Sequence, residues 1–254
     1  MDKLLQSRFE WLLRIGDTNL ILAQRLGEWC GKGPALEEDM ALTNTALDLL
    51  GQARLWLTYA GELEGAGRDE DQLAYLRDSR QFRNALLVER PNGDYAHTIM
   101  RQFYFDAWHH LALRELTKST DLRVSDIAQK AVKEAAYHLR RSSDLVVRLG
   151  DGTEKSHSML QSAADLLWPY TGELFHADDV DKVLAGEGLA PDLALLKDAW
   201  LDYVADVFAA ATLRMPAPSV YMQLGGKQGV HSEQLSFLLA EMQVLQRTYP
   251  GATW

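Results

Sequence analysis

Apolar residues recur along almost the whole chain at the three- and four-residue intervals of an α-helix, and no stretch alternates with the two-residue period of a strand. Helix breakers cut this pattern into long pieces. A first helix is expected over about 3–30, closed near Gly31 and Gly33. A second is expected over about 35–62, opened by Pro34, whose missing N–H is harmless in a first turn, and ended by Gly61, Gly65 and Gly67. A shorter helix follows at about 70–78, and residues 82–89 are apolar and fit either type. Pro91-Asn92-Gly93 is a turn, and Asp94 caps a helix reaching about 118. Further helices are expected at about 125–149, 154–171, 177–185 and 191–214, then a loop over 216–229 and a last helix over 232–248. Long helices joined by loops pack most naturally as an antiparallel bundle. Their uneven lengths and the lack of a repeat argue against a solenoid.

The second helix is apolar almost all round, so most of its surface is expected to be buried. Yet Asn44, Asp48 and Gln52 lie four apart on one face, and buried polar groups need partners. The helix after Asp94 carries Gln102, Asp106 and His110 at the same spacing, with His109 three residues after Asp106. The next helix carries Lys130, Glu134, His138 and Arg141 along one side, and the first carries Glu10, Asp17, Gln24 and Glu28.

Carboxylates and imidazoles on facing helices suggest a di-iron carboxylate site. That chemistry uses about four carboxylates and two imidazoles, with Glu-x-x-His pairs on two of the helices. The pattern is broken in two places: Gly51 stands three residues after Asp48, and Tyr137 three after Glu134, with His138 one position late. Only Asp106-x-x-His109 keeps the spacing. The plainer reading is a hydrogen-bonded charge network in which Lys130 and Arg141 take the role a metal would have had.

Other features add less. Gly225-Gly226-Lys227-Gln228-Gly229 can present backbone N–H groups to an anion, or serve as a flexible loop closing on a partner. Cys30 reads as a small packed residue. Trp56, Trp108, Trp168 and Trp200 fall in helices and are expected in cores or at an interface.

Composition then excludes whole classes. A net charge of −10 argues against a nucleic-acid partner, which needs a basic stripe. One cysteine allows no internal disulfide and favours a reducing compartment. The first residues lack the apolar core of a signal peptide, and no apolar run approaches the roughly 20 residues of a membrane span. A cytoplasmic chain is the expectation.

Several segments, in order, carry a family resemblance. They are 13–17 (Leu-Arg-Ile-Gly-Asp), 25–31 (Arg-Leu-Gly-Glu-Trp-Cys-Gly), 47–54 (Leu-Asp-Leu-Leu-Gly-Gln-Ala-Arg), 86–93, 106–109 (Asp-Ala-Trp-His), 133–140, 225–227 and 239–243. With them the chain resembles the C subunits of bacterial multicomponent ring-1,2-phenylacetyl-CoA epoxidases. The resemblance implies one ferritin-like domain over 1–254, with the core bundle in about 1–150 and additional helices in about 151–254. It implies a structural, non-catalytic subunit without catalytic, cofactor-binding or metal-ligating residues of its own. Asp17, Asp48, Gln52, Asp106, His109, Glu134 and His138 would then be degenerate interior positions. A separate catalytic oxygenase subunit would hold the di-iron centre and epoxidise the ring, fed with electrons by a reductase, and the isolated chain would be able to self-associate. An autonomous di-iron enzyme and a scaffold that only recruits the other components are the competing readings.

Overall fold

The computed structural model describes residues 2–217 and 219–252. Among them all regular structure is helical: α1 (Lys3–Gly27), α2 (Leu36–Glu64), α3 (Glu70–Tyr75), α4 (Leu86–Glu89), α5 (Tyr95–Leu116), α6 (Leu122–Gly150), α7 (Glu154–Leu167), α8 (Asp179–Gly186), α9 (Leu193–Ala210), α10 (Glu233–Met242) and α11 (Val244–Thr248), with short 3₁₀ turns between some of them. The contacts group into two units. One is Met1–Pro91 with Gly225–Trp254, the other Asn92–Leu224.

In the first unit α1 and α2 pack along their lengths. At Gly16 they approach closely, because a Cβ there would lie 2.7 Å from the Leu57 side chain. Trp11 and Trp56 meet edge to face beside it, with ring centroids 6.3 Å apart. Pro34 does not open α2; Ala35 is its N-cap, and the helix starts at Leu36. Gly65, at φ 67°, closes it as a left-handed cap, while Gly61 lies inside the helix, where the Arg68 carbonyl leaves no room for a Cβ.

The expectation that α2 is buried on nearly all sides fails. Leu42, Leu49, Ala53, Trp56 and Leu57 are buried, but Leu36, Met40, Leu47, Leu50 and Leu55 are exposed. The helix is apolar all round yet packs on one side only.

The ambiguous stretch 82–89 resolves into the short α4, and the expected last helix breaks at Gln243. The Gln243 amide donates to the Ala74 and Arg77 carbonyls, both at 3.0 Å. Residues 225–230 form a packed turn instead of a flexible loop: Gly225 and Gly229 both have positive φ, and a Cβ on Gly229 would sit 2.2 Å from the Arg80 carbonyl.

In the second unit α5 is the central helix, contacting α6, α7 and α9. Asp94 caps it by accepting from the His97 N–H at 2.7 Å. Its aromatic face meets Trp168 and Trp200, and the Trp200 indole donates to the Tyr104 carbonyl at 3.1 Å. Trp56, Trp168 and Trp200 are core residues as expected, and Trp108 is half-buried. Cys30 is exposed, not packed.

Helix α9 ends four residues before the expected 214 because Thr212 turns left-handed at φ 57°. The Leu213 N–H returns to the Phe208 carbonyl at 2.9 Å, closing the helix end. A β-branched residue in that region is strained by about 1 kcal/mol or more. Thr212→Gly is therefore expected to stabilise the chain by about 1 kcal/mol in a denaturant titration, and a loss would show that the Thr212 hydroxyl contact with the Gly150 carbonyl (3.4 Å) outweighs the strain.

Candidate functional site

The polar positions singled out by the sequence divide between the two units. In the first, Asp17 is fully buried on α1. Arg77, from the segment after α3, meets it with two nitrogens: Nη2 on Oδ1, and Nη1 on Oδ2 at 3.0 Å. The Arg83 N–H adds a bond to Oδ2 at 2.8 Å. The guanidinium also donates to the Leu73 and Gln81 carbonyls and lies 4.4 Å from the centre of the Phe82 ring. Both Asp17 oxygens are thus committed to a bidentate ion pair, the geometry in which Arg and carboxylate match best. Sequence reasoning missed Arg77, which lies 60 residues from its partner. On α6 the sequence points to Lys130 and Arg141 as cations beside Glu134; Lys130 is exposed, while Arg141 is half-buried and its charge acts on Asp106.

Gln52 is buried on α2 and accepts from the Asn19 amide at 3.4 Å, joining α1 to α2. Asp48 is half-buried, and Asn44 at the start of the stripe is exposed. The four-residue stripe runs obliquely from solvent into the α1–α2 contact, as a row at that spacing does on a straight helix.

A second carboxylate that the sequence did not single out is Glu89, at the end of α4, also fully buried. It accepts from the Asn84 amide (3.1 Å), the Ser232 N–H (2.7 Å) and His231 Nδ1 (2.8 Å). His231 Nε2 lies 3.0 Å from the Phe82 carbonyl, so both ring nitrogens sit within hydrogen-bond distance of an oxygen. This anchors the segment before α10 to α4.

In the second unit Asp106 and His109 are buried one turn apart on α5. The Gln102 amide donates to Asp106 Oδ1 at 2.7 Å, and the Ser142 hydroxyl from α6 donates to Oδ2 at 2.8 Å. Burial pushes the Asp106 carboxyl up to about 6, against the opposing pull of the His138 charge and these two bonds. His109 stacks near Phe105 and Trp108, and neither ring nitrogen has a hydrogen-bond partner among the described residues. Burial, reinforced by the charges of His138 and His110, pushes its imidazole down to about 3. Burial also lowers His110. At neutral pH the pair is a carboxylate between two neutral donors beside a neutral imidazole.

His138 is buried on α6, Glu134 and Arg141 are half-buried, and Tyr137 is exposed. Gly51 is exposed on α2 with nothing within 4 Å of a would-be Cβ. An imidazole at 51 or 137 would therefore point to solvent, so neither Asp48 nor Glu134 belongs to an inward-facing carboxylate-x-x-imidazole pair. Among the described residues no three His, Cys, Asp or Glu side chains come together as a metal-holding group. Nor is any described helix long and apolar enough to cross a membrane.

The family model described as "Phenylacetic acid catabolic protein" matches residues 1–254. The chain is 52% identical, over 247 residues, to the C subunit of the 1,2-phenylacetyl-CoA epoxidase of Escherichia coli (strain K12), an alignment covering 96% of this chain and 98% of that protein.

Proposed function

The chain belongs to the phenylacetic acid catabolic protein family, whose fold is ferritin-like, and on that footing we propose that it is the structural, non-catalytic subunit of a phenylacetyl-CoA epoxidase. It is a subunit homologue of such an enzyme along nearly its whole length. In this proposal a separate di-iron subunit binds this chain and performs the chemistry in the cytoplasm. One oxygen atom of O2 enters the aromatic ring of phenylacetyl-CoA, the other leaves as water, and a reductase supplies two electrons from NADPH. The single ferritin-like domain expected from the sequence belongs to the same proposal, supported by the family match from end to end.

The observation that carries the non-catalytic role is the state of the interior carboxylates. Asp17 is taken by Arg77 and Asp106 by Gln102 and Ser142, while positions 51 and 137 face outward. A two-iron centre needs about four carboxylates and two imidazoles free to turn toward the ions. These residues do not fit it, so they hold the fold and leave the redox chemistry to the partner. Such a chain contributes by bracing the helices of the di-iron subunit, whose ligands must keep their geometry to about 0.5 Å.

Two measurements test this. The purified chain, offered ferrous iron anaerobically, is expected to retain almost none by elemental analysis. The di-iron subunit with reductase, NADPH, O2 and phenylacetyl-CoA is expected to form epoxide only when this chain is added. About two irons per chain, or equal epoxide formation without it, would overturn the assignment.

A further inference from the structure

The glycine in the middle of α2 has no explanation inside this chain. Three glycines lie well inside helices: Gly16, Gly51 and Gly61. Gly16 is needed because a Cβ would strike Leu57, and Gly61 because it would strike the Arg68 carbonyl. Gly51, midway along the 29-residue α2, has neither reason: it is helical, exposed, and has only open space around it. A glycine there weakens the helix relative to alanine and leaves no side chain to pack. Its physical use in such a place is to let another backbone come close.

The residues around it point the same way. Leu36, Met40, Leu47, Leu50 and Leu55 lie on the same side of α2 as Gly51 and are 38% to 72% exposed. They form an exposed apolar patch, interrupted by the exposed Asn44 and Arg54, of the kind that marks a protein–protein contact, with Gly51 within it. The helix carries six acidic side chains, Glu37, Glu38, Asp39, Asp48, Glu62 and Glu64, and one basic one, Arg54. Glu64 is ion-paired with Arg68 of its own chain, but a second copy laid antiparallel across Gly51 would still bring Glu62 of one helix against Glu37 and Asp39 of the other. A parallel copy would oppose like with like throughout. The complementary surface is an apolar helix edged with basic side chains on a different chain.

We propose that the exposed face of α2 is where the di-iron subunit docks, through a helix that crosses α2 at Gly51 and sets lysine or arginine side chains beside the acidic margin. This rests on the pairing reading above. The small residue at the crossing lets the two backbones approach, Leu47 and Leu50 fill the grooves on either side, and the carboxylates steer the approach.

The test is the affinity between the full-length chain and the di-iron subunit of the same complex, for the wild type, Gly51→Leu, Leu47→Glu and Leu195→Glu. The leucine at 51 meets open space in the free chain, so that variant is expected to fold and to melt no lower than the wild type. It and Leu47→Glu are expected to bind at least about 30-fold more weakly, the loss typical of a contact at the centre of an interface. Leu195→Glu, at an exposed position of α9, is expected to bind like the wild type, and wild-type affinity is expected to fall with added salt. If wild-type binding is tight and Gly51→Leu and Leu47→Glu bind equally well, the pairing stands and the α2 assignment is overturned. If the wild type does not bind the di-iron subunit, the pairing reading fails and the assignment with it. If Gly51→Leu instead dissociates a homo-oligomer while binding of the di-iron subunit is unchanged, the occupant is a second copy and the proposal is wrong.

Discussion

Arg77→Ala is expected to lower stability by about 3–5 kcal/mol, the range for removing one partner of a buried ion pair. The Asp17 side chain is fully inaccessible and that of Arg77 nearly so. Without the guanidinium, the carboxylate keeps only the Arg83 N–H as a donor among the described residues. The Leu73 and Gln81 carbonyls lose theirs too, and the Arg77 segment holds the C-terminal helices through Gln243 and Arg247. Replacing both partners, as in Asp17→Leu with Arg77→Met, is expected to cost far less, because no charge is then left buried. A denaturant titration of both variants measures the difference, and faster hydrogen exchange at residues 73–83 in Arg77→Ala would localise it. A loss under about 1 kcal/mol for Arg77→Ala would mean that water or another cation reaches Asp17, and the ion pair would not be the anchor of this segment.

The same pair shows what the sequence could and could not reveal. Helices were legible because their signals are local: periodicity within α1, α5 and α6, the Asp94 cap, the glycine at 65. Their ends moved by a few residues where tertiary contacts took over, as at Thr212 and Gln243. The buried polar residues of α1 and α5 were legible for the same reason, since a charged group inside an apolar run is conspicuous in one dimension. Their partners were not. Arg77 and Ser142 reach Asp17 and Asp106 across 60 and 36 residues, and nothing in the spacing within a helix encodes that. The apolar face of α2 was misjudged because an all-round apolar helix looks buried whether its second side is covered by its own chain or by another. Gly51 was read as a missing ligand position when its meaning lies in the space outside the helix.

The opposed shifts at Asp106 and His109 lead to the second large effect, a pH dependence that is hidden in the wild type and appears when either residue is replaced. Folded Asp106 keeps its proton up to about pH 6, while an unfolded aspartate loses it near 3.9. Between those values the folded chain binds more protons, so this group's contribution is fully present below about 3.9 and is lost as pH rises through 6. For His109 the folded value is about 3 against about 6.5 unfolded. Its contribution is fully present above about 6.5 and is lost as pH falls through 3. From about pH 4 to 6 the two slopes oppose each other, each at most about 1.4 kcal/mol per pH unit, and largely cancel. Asp106→Asn leaves the histidine alone: stability is expected to climb with pH across that window. The variant should also be as stable as the wild type or more so at pH 7, by up to about 3 kcal/mol, because it buries no charge. Gln102 can accommodate the new amide by turning its own oxygen, which has no hydrogen-bond partner among the described residues, toward it. His109→Phe suits the aromatic surroundings of Phe105 and Trp108 and leaves the aspartate alone, so stability is expected to fall with pH over the same window. Denaturant midpoints at half-unit steps from pH 4 to 7 resolve both slopes. Flat profiles in both variants would mean that neither group is as desolvated as its burial implies, whereas slopes of opposite sign would identify the pair as a compensated charge site within α5.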